Sequence, residues 1–142
     1  MPNVRPATAR DKEFLWDLHC RTMRTYVEAT WGWDETDQRA RFDAAFDPAR
    51  TTILEQDGRA AGMLIIERSA AQLRLCSIEI APEFQNRGLG SAIIADLIGE
   101  AAGRPVWLQV LKANPAKALY ERLGFVVAGE TPTHWQMLRG PD

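Results

Sequence analysis

A glycine-rich hexapeptide, Gln85-Asn86-Arg87-Gly88-Leu89-Gly90, joins a strand-like run at 73–81 to a helix-like run at 89–102, and it constrains the fold more than any other segment. A strand, a tight glycine turn and a helix make one supersecondary unit whose helix has to cover a sheet. Along that helix Leu89, Ile93, Leu97 and Ala101 share one stripe, with Ile94 and Ile98 beside it, as a sheet-covering face requires. The turn leaves several backbone N–H groups without intrahelical acceptors at the positive end of the helix dipole. The first acid of the helix is Asp96, and Arg87 stands just before the helix. Gly88 and Gly90 carry no Cβ to hold a ligand away from the amides. An anion, in particular a diphosphate, suits such a loop; an ordinary glycine turn has the same local sequence. Neither the Gly-x-Gly-x-x-Gly of dinucleotide folds nor the Gly-Lys-Ser/Thr of triphosphate loops follows.

The rest of the chain reads as alternating strands and helices. Residues 3–5 form a short strand, and Thr8 caps a helix whose apolar positions are Phe14, Leu15, Leu18 and Met23. Trp31-Gly32-Trp33 interrupts it near Thr30, and Asp34 caps a second helix carrying the four-residue charge pairs Glu35 to Arg39 and Asp37 to Arg41. Strands at 51–55 and 61–67 flank Gln56-Asp57-Gly58-Arg59, a hairpin turn. After the glycine loop and its helix come a strand at 106–111, a helix started by Asn114-Pro115 and stopped by Gly124, and strands at 125–128 and 134–138. This order gives an α/β three-layer sandwich, a central mixed sheet with helices on both faces.

At 142 residues with 46% hydrophobic content the chain has the size of one domain, 1–142. The formal charge of −2, without any run of four Lys or Arg, argues against nucleic acid. Met1-Pro2-Asn3-Val4-Arg5-Pro6 has no apolar targeting core and no apolar run spans a bilayer, so a cytoplasmic protein without membrane association is expected. Cys20 and Cys76 make no disulfide framework. His19 and Cys20 are adjacent, and a helix would point them about 100° apart, so no metal is expected.

The run Ile80-Ala81-Pro82-Glu83-Phe84-Gln85-Asn86-Arg87-Gly88-Leu89-Gly90 resembles the acetyl-coenzyme A signature of the GNAT N-acetyltransferases, and Asn114-Pro115-Ala116-Lys117-Ala118-Leu119-Tyr120-Glu121-Arg122-Leu123-Gly124-Phe125 is similar to that family's later block. The resemblance covers about residues 73–125. It implies a mostly antiparallel mixed sheet in which the strands at 73–81 and 106–111 splay apart to admit pantetheine. It also implies acetyl transfer from acetyl-coenzyme A to a primary amine by direct attack in a ternary complex. The cofactor residues would be Gln85, Asn86, Arg87, Gly88, Leu89, Gly90 and Ser91 around the diphosphate, Ile78 and Ile80 along the pantetheine, and Asn114.

Three chemical tasks follow from such a reaction. The ammonium must lose a proton, the tetrahedral oxyanion needs N–H donors, and the departing thiolate needs a proton. Tyr120 matches the family's general acid, although Ala116, Leu119, Tyr120 and Leu123 also form a core-like stripe. Glu79 is the first candidate for the base; Glu28, His134 and an ordered water are the others, and strand alternation turns Glu79 away from Ile78 and Ile80. The acceptor side would involve Tyr26, Glu28, Trp31, Trp33 and His134, where aromatic rings beside carboxylates suit a cationic amine; helix capping by Asp34 and core packing of both Trp account for the same residues. The acceptor would be a small-molecule or peptide amine, and the protein a monomer or homodimer. A non-catalytic acyl-coenzyme A binding or sensing domain is the alternative function, and a nucleotide-binding structural protein a more distant one.

Overall fold

The computed structural model describes residues 3–140; Met1 and Pro2 of the leader reading lie outside the described residues. The strands are β1 (Asn3–Pro6), β2 (Thr52–Gln56), β3 (Arg59–Arg68), β4 (Leu73–Ile80), β5 (Val106–Leu111), β6 (Val126–Glu130) and β7 (His134–Arg139). The helices are α1 (Lys12–Trp31), α2 (Glu35–Ala45), α3 (Leu89–Ala101) and α4 (Lys117–Arg122). The strands form a seven-stranded sheet in the order β1-β2-β3-β4-β5-β7-β6. β4 and β5 are parallel, whereas β1–β2, β2–β3, β5–β7 and β6–β7 are antiparallel. This is the mixed, mostly antiparallel α/β arrangement expected.

Chain contacts gather into two compact units. Among the described residues, one comprises 3–65 together with Ser77–Gln85. There Thr8 and Asp11 close a capping box, but it starts a 3₁₀ turn, Ala9–Asp11, that leads into α1 rather than α1 itself. α1 buries Leu15, Leu18 and Val27, while Phe14 and Met23 of the expected stripe are half-buried. Gly32, at φ 81°, ends the helix with its N–H on the Glu28 carbonyl, 3.0 Å away. Asp34 caps α2 through the Asp37 N–H at 2.9 Å.

Of the two expected charge pairs, Asp37 and Arg41 meet at 2.8 Å. Arg39 leaves Glu35 and holds Glu13 on α1 with both terminal nitrogens, at 2.7 and 3.2 Å, and Asp43 with Nε at 2.9 Å. A two-pronged guanidinium–carboxylate bond outcompetes a single helical pair. The β2–β3 hairpin turns through Asp57 and Gly58, both left-handed at φ 56° and 74°, as a primed two-residue turn requires. Gly62 on β3 sits so close to β4 that a Cβ there would run into the Glu79 carbonyl oxygen and stand 3.2 Å from Ile80 Cα.

The other unit comprises Ile66–Cys76 and, among the described residues, 86–140. α3 buries Leu89, Ile93, Ile94, Leu97 and Ala101, the predicted stripe with Ile94 drawn in. The parallel β4–β5 register pairs Leu73 with Val106, Arg74 with Trp107 and Leu75 with Leu108, stopping before Ile78 and Ile80. The last helix begins at Lys117, later than Asn114-Pro115 predicts. Asn114 spends its side chain on an intervening turn, its Oδ1 accepting from the Ala116 N–H at 2.9 Å.

Candidate active site

The glycine loop is built by backbone conformation. Behind a 3₁₀ turn at Pro82–Phe84 that buries Phe84, Gln85 donates its side-chain Nε2–H to the Ile80 carbonyl at 2.9 Å, tying the loop to the end of β4. Asn86 and Gly88 then both adopt left-handed conformations, φ 61° and 77°. Gly88 is the N-cap of α3 and offers no side-chain cap. The first helical bond runs from Ala92 N to Gly88 O at 2.9 Å, so the amides of Leu89, Gly90 and Ser91 precede the first helical donor and have no intrahelical acceptor. No acid stands in the first turn. A Cβ on Gly88 would meet nothing within 4 Å; the left-handed φ, and not crowding, calls for glycine there. Amide donors at the positive end of a helix, facing open space, fit a diphosphate.

Tyr120 lies within α4, 7% exposed, with its ring edge-on to Phe125 at 6.0 Å. Burial pushes its phenol up to about 12. The ring belongs to the core, and the hydroxyl keeps its proton across the physiological range. With its Oδ1 on Ala116, Asn114 retains its side-chain amide hydrogens for a ligand.

Glu79 meets α1. Its Oε2 is 3.1 Å from His19 Nδ1, and the two side chains are 10% and 26% exposed. Trp16 and Trp33 stand 6.1 and 6.0 Å from the imidazole and 6.3 Å from each other in a stacked pair. Gln38 also hydrogen-bonds His19. Sequence reasoning missed His19 as a partner of Glu79. The available signal was a histidine next to buried Leu18 and one turn beyond buried Leu15 on α1, together with an acid inside a sheet strand.

A cavity of about 680 Å³ opens at the α1–α2 corner, lined by Val27, Trp31, Trp33, Asp34, Gln38 and Arg41 among others. Trp31 and Trp33 thus line one cavity, whereas Tyr26 and Glu28 are not in its wall. Glu28 is exposed and 3.7 Å from Arg24; Tyr26 is half-buried. Trp33 is half-buried, with Arg24 over its ring at 5.5 Å. Its Nε1 is a buried donor without an acceptor among the described residues. His134, on β7 in the other unit, has Nδ1 2.8 Å from Thr133 Oγ1. Among the described residues no cluster of three or more His, Cys, Asp or Glu side chains is arranged to hold a metal, and no helix is long and apolar enough to cross a membrane.

The model of the acetyltransferase (GNAT) family matches residues 13–125. The ribosomal protein bS18-alanine N-acetyltransferase of Escherichia coli K12 is 40% identical over 76 residues, 51% of this chain and 51% of that protein. The chain thus spans about half the length of the curated relatives it matches in this way. The crystal structure of the E. coli ribosomal-protein-S18-alanine N-acetyltransferase superposes with a TM-score of 0.66 at 25% identity, over 99% of this chain and 94% of that one. The PaiA N-acetyltransferase of Thermoplasma acidophilum, solved in complex with coenzyme A, superposes with a TM-score of 0.76 over 99% of both chains at 15% identity, a likeness of fold.

Proposed function

This chain belongs to the acetyltransferase (GNAT) family, and on that premise we propose that it is a single-domain N-acetyltransferase that moves an acetyl group from acetyl-coenzyme A to a primary amine. The observation that carries the reading is the loop from Gln85 to Ser91, with left-handed Asn86 and Gly88 and an acid-free start to α3. The family match runs through residues of both compact units, which supports one catalytic domain.

Acetyl-coenzyme A supplies an activated thioester carbonyl; the chain holds it and manages protons. The amides of residues 87–91 bind the diphosphate, with Arg87 adding positive charge. Ile78, Ile80 and Asn114 take the pantetheine arm, and a main-chain N–H near Ile80 donates to the carbonyl oxygen as negative charge builds there. Tyr120 donates to the departing sulfur. A phenol near 12 is a weaker acid than a thiol of about 8.5, so its main contribution is a hydrogen bond that steadies the thiolate. Glu79 supplies the carboxylate to which deprotonation of the amine is tied.

For the acceptor, the cavity beside Trp31 and Trp33 suits an amine with an apolar stem. The name of the E. coli relative makes an alanine-initiated peptide the first acceptor to try. The test follows thiol release from acetyl-coenzyme A across alanine-initiated peptides, lysine peptides and small amines. We expect release with at least one of them. Stabilisation by coenzyme A without release for any amine would instead identify a binding or sensing domain.

A further inference from the structure

We propose that His19 Nε2 is the group that accepts the amine's proton, with Glu79 acting through it as the orienting carboxylate. The proposal rests on the acetyltransferase reading and adds a residue and a division of labour to it. Glu79 Oε2 lies 3.1 Å from His19 Nδ1. An ionised carboxylate only accepts hydrogen bonds, so the neutral imidazole carries its hydrogen on Nδ1 and presents its lone pair at Nε2. A proton placed on Glu79 would weaken this bond; a proton placed on Nε2 turns it into an imidazolium–carboxylate pair. Exposure points the same way, because the His19 side chain is 26% exposed and that of Glu79 only 10%.

The surroundings fix the ring and reach the cavity. Trp16 and Trp33 flank the imidazole in tilted contacts at 6.1 and 6.0 Å. Gln38 also interacts with the His19 ring and favours its protonated form, and Gln38 lines the α1–α2 cavity. An amide donates to the bare nitrogen in one orientation and accepts from the protonated one in the other. Of the charged groups nearby, β4 contributes Glu79, α1 contributes Arg24 across the Trp33 ring, and α2 contributes Arg39 over the Trp16 ring. Glu79 alone acts directly on the imidazole charge. Burial lowers the His19 pKa, but the hydrogen bond and charge of Glu79 and the Gln38 bond outweigh it and leave it above 6.5. A peptide α-amine, at about 7.7–8.0, is a better matched proton donor for such a group than a lysine at about 10.4.

The proton count closes. One ammonium proton passes to Nε2; the C–N bond forms and the C–S bond breaks. The second proton released from the nitrogen balances the thiolate as free thiol, and the imidazolium returns its proton to solvent.

The experiment measures kcat/KM against pH for the accepted amine in the parent, His19→Asn and Glu79→Gln, with coenzyme A-induced stabilisation as the check on fold. Asn can offer Glu79 a donor in the place of Nδ1 but cannot titrate. The parent should show an acid limb above pH 6.5 that stays put when an amine of different pKa is used. His19→Asn should lose that limb and fall by about 10²-fold at pH 8, and Glu79→Gln should move the limb to lower pH. A His19→Asn enzyme with parental rate and parental limb overturns the proposal and leaves the acetyltransferase reading standing. A parent that binds coenzyme A and acetylates nothing overturns both. Should His19→Asn not fold, nitrogen NMR of the parent imidazole decides: hydrogen on Nδ1 in the neutral form is expected, and hydrogen on Nε2 overturns the assignment.

Discussion

On the proposed mechanism Tyr120 serves two demands that a helical stripe alone cannot separate. Its ring packs on Phe125 while its phenol, pushed up to about 12, stays protonated. Tyr120→Phe preserves the packing and removes only the donor. Turnover should fall by about 10²-fold with coenzyme A affinity unchanged, read by thiol release and by calorimetry; a parental rate would remove Tyr120 from the mechanism. As a candidate, Tyr120 was legible in the sequence because its neighbours resemble a family block. His19 was not, because the residue that gives it meaning, Glu79, lies 60 positions away and nothing local to α1 announces the pair. Arg39 gives the same lesson for surface charge: its helical partner is plain in the sequence, but the bidentate contact with Glu13 arises only when α1 and α2 meet.

At the scale of elements, most strands were readable because alternation and the Asp57-Gly58 turn are local signals. The start of α4 was misread because Asn114-Pro115 is a good helix opening, whereas the Asn114 carbonyl oxygen of the side chain closes a turn first. Two glycines make element-level predictions. In Gly62→Ala the new methyl meets the Glu79 carbonyl, and β4 must shift. A loss of about 1–3 kcal/mol is expected in denaturant unfolding, with reduced turnover because Glu79 moves. In Gly88→Ala the space is open but the left-handed backbone, φ 77°, is strained by about 1 kcal/mol or more. Binding of coenzyme A should weaken and the unfolding midpoint should fall in proportion to that strain; unchanged affinity would mean that the loop conformation does not matter to the diphosphate.

Over the whole molecule, stability should respond to pH through two groups with opposite signs. Asp11 is buried and bonded by Arg5 at 2.9 and 3.0 Å, and Arg5 also reaches Glu55 at 3.3 Å. The Arg5 bonds, opposed by burial and helped by the Thr8 backbone, hold the Asp11 carboxyl below its ordinary 3.8. Its contribution is present above that value and is lost as pH falls through the lower folded pKa. His19 runs the other way: its raised pKa gives stabilisation that is complete below 6.5 and lost as pH rises through the folded value. Denaturant unfolding of the parent against Asp11→Asn should therefore converge at strongly acidic pH. The stability advantage of the parent over His19→Asn should shrink between pH 6 and pH 9; a constant difference would show that the imidazole does not titrate there.

The cavity beside Trp31 and Trp33 is walled from Val27 to Arg41, one uninterrupted stretch of chain that stops short of the glycine loop and of Tyr120. On the proposal that this cavity receives the amine, recognition of the nucleophile is written in one stretch of sequence and the handling of the donor in others. Such a layout lets selectivity drift, or be redesigned by segment exchange, while the thioester chemistry is inherited intact.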